Sequence, residues 1–474
     1  MYKFLSNASY TRDSKVNSES VMRKYLIALI FFLIINPVFA QGAIEQEIKP
    51  SSGLSLQEAV GYALVNNNEL RAFKSSLFAQ EKEIGIAKSN FMPKVRFDEA
   101  FISTNNPALD FALRINQRRF TSGDLSGAPN TFNNPAVINN FLTAITLEQP
   151  IYYRKSVVGL DMAKKEYTSK AFDFLRKQEE VAFNVSKTYL EVMTAQEFVN
   201  VAQKAVVDSK EHLRIAQVRF KTGLGLYSDV LRASTAVTEA EQKLISANKN
   251  LNLSRRALGL LLGKQTSVNI NSKTPQLGLK NIDYINTALA SRNDVKSLES
   301  RVENAKNGIK FAEAGYYPTV AGFGSYQLYD NRAPFAAEGH NYMAGAGLKW
   351  EVFDGLKTRN EKLQAKDRVI EAQEYLEGFK KQISYKIYES FQNIEEAKKN
   401  FELANSALKT AEEGKRLVLK RWENALSPMV DLLDAQVNLD KARADVVKTA
   451  NDYKVALIGL SYESGILFKD LGIE

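Results

Sequence analysis

Residues 420–436, KRWENALSPMVDLLDAQ, have an earlier counterpart at residues 218–234, VRFKTGLGLYSDVLRAS. Placing Asp431 on Asp229 sets a register of 202 (431 minus 229), under which Arg219 falls on Arg421, Phe220 on Trp422, Val230 on Leu432 and Leu231 on Leu433. Upstream the same register pairs Val185 with Ile387, Tyr189 with Phe391, Val192 with Ile394, Val199 with Phe401 and Val206 with Leu408. These positions step by 4, 3, 7 and 7 residues, a heptad spacing that lays one apolar stripe along a helix. Each quoted stretch interrupts its helix at small or turn-forming residues, Gly223 and Gly225 in the first and Ser427-Pro428 in the second. A new helix is expected to start at once, with Ser427 as its N-cap and Pro428 at its first helical position. The two stretches therefore read as tips of helical hairpins, in a chain that contains one long unit twice.

For 474 residues, length alone suggests several globular domains, but a duplicated long-helix pattern favours one elongated unit. Arg23-Lys24, an apolar run over 25–35, Pro37 and the small-residue end Val38-Phe39-Ala40 read as a secretory signal over 1–40. The run is shorter than the roughly 20 residues of a membrane-spanning helix. Residues 1–21 are polar for a leader, so Met22 is an alternative start. The remaining organisation is a first repeat over 41–262, a linker over 263–281, a second repeat over 282–460 and a tail over 461–474 without a clear signal. Removing 1–40 takes away five basic and two acidic side chains, which lowers the formal charge from +9 to about +6. That charge is spread thinly, as on a solvated surface, and no basic run interleaved with aromatics points to nucleic acid. The absence of cysteine excludes disulfides, thiolate chemistry and a lipid anchor on an N-terminal cysteine.

Along the chain, Ser55-Leu56-Gln57-Glu58 opens a helix expected to run through Leu64, Leu70, Leu77 and Ile84 to Asn90, stopped by Pro93. A register of 225 (318 minus 93) repeats this segment: Ala63-Leu64 meets Ala288-Leu289 and Pro93 meets Pro318. After each proline the period becomes alternating, at Val95, Phe97 and Phe101 and again from Val320 to Tyr329. A second strand follows in each repeat. Phe141, Thr143, Ile145 and Leu147 alternate with Leu142, Ala144, Thr146 and Glu148, and Tyr342, Ala344, Ala346, Leu348 and Trp350 alternate with Met343, Gly345, Gly347 and Lys349. One face is apolar and the other polar or small, with Glu148 and Lys349 on the same face. Strands of a transmembrane barrel alternate in this way, and so does an ordinary half-buried sheet. The segments 104–140 and 330–341 read as exposed loops. No proline occurs over 153–222 or over 335–427, so each second strand leads into a helix of about 70 residues, roughly 100 Å long. Such a length suggests a coiled coil or a distance to be crossed.

A secreted, cysteine-free, duplicated chain ordered helix, strand, strand, very long helix, tip, helix over residues 54–460 resembles the outer membrane efflux protein family. The fold class implied is mixed α and β: a long α-helical coiled-coil barrel plus a transmembrane β-barrel, internally duplicated and shared by a homotrimer. The implied function is a passive outer membrane exit duct of a tripartite efflux or type I secretion system. Its partners would be outer membrane lipid, a periplasmic adaptor and an inner-membrane pump, with no cofactor. Four strands cannot close a barrel alone and would leave bare edges in lipid, so spanning strands demand oligomerisation. Asp431 and Asp434 match the family pattern for aspartates ringing a narrow periplasmic pore, together with Asp229. Their spacing of three puts Asp431 and Asp434 on one helix face. A structural reading of Asp431 stands beside this one, since an acid also complements the positive end of a helix starting near Pro428. Thr222-Gly223-Leu224 and Asn424-Ala425-Leu426 match the tip motifs that meet the adaptor, although Ala425 replaces the usual central glycine. Where some members carry a lock-forming arginine, this chain has Ser427, which cannot pair with Asp229.

Enzyme readings have little support. The only histidines, His212 in a long helix and His340 in a loop, lack metal or triad companions at motif spacing, and a surface role is expected for each. Gly223-Leu-Gly225 follows a helix rather than a strand, unlike a phosphate loop. The competing class is a soluble periplasmic coiled-coil scaffold whose strands form a small sheet.

Overall fold

The computed structural model describes residues 53–126, 133–271 and 278–473. The expected secretory signal over 1–40 lies outside the described residues. The chain runs α1 (Leu56–Asn66), α2 (Asn68–Ser89), β1 (Lys94–Thr104), α3 (Pro107–Asn116), α4 (Ser122–Ser126), β2 (Ile138–Tyr152), α5 (Arg154–Lys221) and α6 (Tyr227–Leu261). It continues through α7 (Tyr284–Ser291), α8 (Asn293–Glu313), β3 (Thr319–Asp330), β4 (Gly339–Lys349), α9 (Lys357–Glu423), α10 (Met429–Glu463) and α11 (Leu467–Leu471).

A capping box opens α1: Ser55 Oγ accepts from the Glu58 N–H (3.3 Å) and the Glu58 carboxylate accepts from the Ser55 N–H (2.7 Å). The single helix expected to Asn90 is instead two, because Asn67 turns extended at φ −62°, ψ 126° and ends α1 while capping α2. Its Oδ1 accepts from the Leu70 N–H (3.1 Å), and its Nδ2 donates to the Leu261 carbonyl at the far end of α6 (2.7 Å). Arg292, at register 225 from Asn67, makes the same break between α7 and α8 with φ −60°, ψ 127°. It also holds the end of the other returning helix, donating from Nη1 to the Glu463 carbonyl (2.9 Å) and carboxylate (2.7 Å). The repeat is therefore kept in long-range bonds although the side chains differ.

The two long helices have 68 and 67 residues, hence about 100 Å each at about 1.5 Å per residue. Helix α5 is covered by α1, α2, α6, α8 and α10, whereas α9 is flanked by α7, α8 and α10. The heptad stripe registers this difference: Val185, Tyr189 and Val192 are fully buried, while Phe391, the counterpart of Tyr189, stays exposed beside Ile387 and Ile394. The Tyr189 hydroxyl donates to the Leu54 carbonyl (3.0 Å), and burial pushes its pKa up to about 12.

The strands form one antiparallel sheet in the order β1-β2-β3-β4, open at both edges. Register places Val95, Leu147, Gly324 and Ala344 in one row and Phe97, Ile145, Tyr326 and Tyr342 in the next. This face is exposed in the isolated chain; Val95 is 71% and Tyr342 84% accessible. The opposite face carries Arg96, Asp98, Thr146, Glu148, Ser325, Gln327, Asn341 and Lys349, so Glu148 and Lys349 do share a side.

Three local expectations are corrected, and the tail that carried no signal takes shape. The segment between β1 and β2 is not a bare loop: Asn106 caps α3 with Pro107 at its start, and Gln117 donates to the Asn139 carbonyl (2.8 Å) and Asn140 Oδ1 (2.9 Å). His340 lies on β4, exposed, with Arg118 Nη2 at 3.3 Å from its Nε2. The expected polar linker begins inside the core, where Val268 and Ile270 are buried and Ile270 bridges Leu54. The tail folds back as α11, with Leu467 and Leu471 in the main core and Gln57 Nε2 donating to the Leu471 carbonyl (2.8 Å). Five helical residues are too few for a periodic signal.

Candidate functional site at the helical tips

Both long helices end in the same turn. At the first tip the Gly223 N–H donates to the Phe220 carbonyl (3.0 Å) and the Leu224 N–H to the Arg219 carbonyl (2.8 Å). At the second, the Ala425 N–H donates to the Trp422 carbonyl (3.0 Å) and the Leu426 N–H to the Arg421 carbonyl (2.8 Å). This is the Schellman arrangement, which satisfies the last carbonyls of a helix and requires a left-handed residue. Gly223 takes it at φ 77° and Ala425 at φ 61°. The second tip thus holds an alanine where the backbone favours glycine, a strain the residue type alone did not announce. At each apex a leucine stands clear of the protein, Leu224 at 73% and Leu426 at 67% accessible. Thr222 and Asn424 cap the two helices from within: Thr222 Oγ1 donates to the Val218 carbonyl (3.0 Å) and Asn424 Nδ2 to the Lys420 carbonyl (2.8 Å).

A small separate core of Ala216, Ala233, Trp422, Met429 and Leu432 joins the ends of α5, α6, α9 and α10. Arg219 ties this core across the repeats. Its Nη1 donates to the carbonyls of Trp422 (3.1 Å) and Glu423 (2.8 Å), and its guanidinium lies 5.1 Å from the Trp422 ring centre. Gly225 makes room for it, since a Cβ there would stand 3.0 Å from Arg219 Cβ. The sequence marked Arg219 and Trp422 only as repeat mates of Arg421 and Phe220; their meeting is a tertiary fact.

Helix α10 starts one residue later than expected, with Pro428 in the cap position at φ −70°, ψ 162° and Met429 as the first helical residue. Ser427 therefore caps nothing, and its Oγ is buried without a hydrogen-bond partner. Neither α6 nor α10 has a side-chain N-cap. Asp229 and Asp431 each occupy the third position of these helices, where a carboxylate complements the free N–H groups. Asp434 lies one turn further along, beyond the reach of that effect, and Asp431 and Asp434 are both exposed.

Two turns above, His212 corrects its surface expectation. It is buried, and its Nε2 faces Gln436 Oε1 at 3.2 Å while Nδ1 has no partner. Gln436 Nε2 donates to Asp208 (3.1 Å) and Asp440 (2.9 Å), and Arg443 Nη1 donates to Asp208 (3.0 Å). This arrangement makes Nε2 the protonated nitrogen, and burial holds the His212 pKa below its ordinary value. Burial likewise raises the Asp440 carboxyl, which the Gln436 bond only partly offsets. The signal for this network was the pairing of long helices, which periodicity alone does not orient. Among the described residues no cluster of His, Asp or Glu could hold a metal ion, and no helix is long and apolar enough to cross a membrane.

Comparison with known proteins places this architecture. The outer membrane protein TolC of Vibrio cholerae is 26% identical over 350 residues, covering 70% of this chain and 79% of that protein. A membrane protein from Pseudomonas aeruginosa has the same fold, with TM-score 0.71 at 18% identity over 87% of this chain and 91% of that one. The open state of the Neisseria gonorrhoeae MtrE outer membrane channel gives TM-score 0.69 at 16% identity over 91% and 98%. The family model for outer membrane efflux proteins matches residues 59–264 and 284–464, taking in both tips and all four strands. With a match of that extent in both halves, the chain belongs to the outer membrane efflux protein family.

Proposed function

We propose that three copies of this protein form one passive exit duct, which crosses the outer membrane as a shared twelve-stranded barrel and continues through the periplasm as a helical cylinder. The observation that carries this reading is the exposed apolar face of an open four-stranded sheet, set at one end of helices about 100 Å long. Water would not tolerate that face, and lipid would not tolerate the unpaired backbone at β1 and β4. Joining β4 of one copy to β1 of the next satisfies both demands. The polar face, with Arg96, Asp98, Glu148 and Lys349, then lines water.

At the far end, Asp431, Asp434 and Asp229 form the narrow mouth of the duct. The dipole of α10 accounts for Asp431 but not for Asp434, and threefold repetition of an exposed pair supports a ring of carboxylates. The tips Thr222-Gly223-Leu224 and Asn424-Ala425-Leu426 dock a periplasmic adaptor that links the duct to an inner-membrane pump. Exposed Leu224 and Leu426 supply apolar anchors, and Gly223 and Ala425 keep side-chain bulk away from them.

Fractionation and mass measurement test the reading. The protein should require detergent for release from the outer membrane and should then have the mass of a trimer. Recovery from the soluble periplasm as a monomer would instead support a coiled-coil scaffold. For the tips, replacing Gly223 or Ala425 by a bulky charged residue should weaken crosslinking to the adaptor while trimers persist; undiminished crosslinking would remove the docking assignment.

A further inference from the structure

The bonds made by Arg219 inside one chain have a counterpart that the chain does not complete. Under the register of 202, Arg219 corresponds to Arg421, and its acceptors Trp422 and Glu423 correspond to Phe220 and Lys221 (422 minus 202 and 423 minus 202). Arg421 is exposed, and its side chain makes no hydrogen bond or ion pair with the described residues. Phe220 is 45% accessible, whereas Trp422 beneath Arg219 is 4% accessible. The two helix ends are the same backbone turn, with matching 3.0 Å and 2.8 Å closing bonds, so the first tip presents its Phe220 and Lys221 carbonyls as the second presents those of Trp422 and Glu423. A carbonyl oxygen has two lone pairs, and the turn uses one on Phe220.

In a ring of three copies, first and second tips alternate around six places. Each second tip then faces the first tip of the next copy, related to it approximately as the first is related to the second within one chain. We propose that Arg421 clamps the neighbouring copy, donating to the carbonyls of that copy's Phe220 and Lys221 with its guanidinium over that copy's Phe220 ring. This rests on the trimeric reading above and names the residues that close its lower end.

An independent asymmetry points to the same junction. Ile245, Leu253 and Leu260 on α6 are exposed, yet their repeat mates Val447, Val455 and Tyr462 on α10 are partly covered. Helix α10 gains that cover from α5 of its own chain, with Tyr462 stacked 4.8 Å from Phe183. The equivalent neighbour for α6 is α9 of another copy, whose Leu403 and Leu417 are exposed. The apolar residues left open along the two helices and the free arginine at their end lie on one seam.

The absence of cysteine allows a direct test. One variant carries Arg421→Cys with Lys221→Cys, and a control carries Arg219→Cys with Glu423→Cys; both are treated with a short bis-maleimide in detergent-extracted protein. The control should close within a chain and remain a monomer on a denaturing gel. The first variant should give covalent dimers and trimers. Native mass, measured in parallel, separates the two readings. A native trimer that yields only monomer bands overturns the clamp and leaves the duct standing, while absence of a trimer overturns both. With cysteines avoided, Arg421→Ala in the full trimer should speed amide exchange at Gly223 and Leu224 about fivefold, and Arg421→Lys should not restore it because an ammonium lacks the planar fork. Exchange equal to that of the parent protein counts against the clamp.

Discussion

The two tips provide a comparison within one molecule between glycine and alanine in the same left-handed turn. Gly223 sits at φ 77° with no atom within 4 Å of where a Cβ would stand, so Gly223→Ala introduces backbone strain and no collision. Ala425 at φ 61° already bears that strain, and its methyl is exposed, so Ala425→Gly removes strain with little loss of packing. A left-handed non-glycine residue costs roughly 1–2 kcal/mol. Glycine gives back about 0.4–1 kcal/mol through the greater freedom of the opened chain. The net effect is about 1 kcal/mol at each tip, destabilising for Gly223→Ala and stabilising for Ala425→Gly. Because these turns open locally, the sensitive assay is amide exchange on peptides spanning 218–226 and 420–428, corrected for intrinsic rates. About 1 kcal/mol corresponds to about a fivefold change in protection, faster at the first tip and slower at the second. If Ala425→Gly exchanges as fast as the parent and Gly223→Ala is neutral, the Schellman turns are not what holds the apices.

Three further outcomes follow from the same geometry. Converting Asp431 and Asp434 to Asn keeps their shape and removes six charges from the mouth of the proposed trimer; in planar bilayers the channel should lose cation preference and block by trivalent cations from the periplasmic side, and unchanged selectivity would reduce these residues to helix starters. His212 is held neutral below its ordinary value of 6.5, so the unfolded chain takes up the proton first and stability is lost as pH falls below that value; His212→Gln should flatten this acid slope in thermal melting. Asp440 acts in the opposite sense nearer the carboxylate range, and Asp208, Glu211, Lys415 and Arg443 remain as charged neighbours, so an equally steep slope in the variant would rule out His212 as its source. Arg292→Ala leaves half-buried Glu463 without its cation and Asp294 with Arg176 alone (3.2 Å), and should cost about 3 kcal/mol, read as a lower melting temperature; a loss under about 1 kcal/mol would show that water and Arg176 replace the guanidinium there.

Whatever depends on local spacing is legible in the amino-acid sequence itself. The heptad stripe and proline-free stretches of α5 and α9, the alternation in four strands and the repeat registers each follow from backbone periodicity, which neighbouring residues write directly into the chain. The positions of Asp229 and Asp431 at helix starts and of Gly223 and Ala425 at helix ends belong to this class. Even here a single residue misled: Asn67 reads as one more polar helical position, yet its amide both caps α2 and reaches the end of α6, so the helix breaks. Tertiary structure decided which faces meet. Periodicity places His212 on a helix but does not say that Gln436 will lie opposite it, and it aligns Arg219 with Arg421 without saying that only the first finds its carbonyls within the chain. Burial of the polar linker's Val268 and Ile270, and docking of the five-residue α11, depend likewise on partners far away in sequence. The physical reason is that helix and strand arise from bonds between near neighbours, whereas a buried histidine, a clamped arginine or an open apolar face is a property of what another segment, or another copy, brings against it.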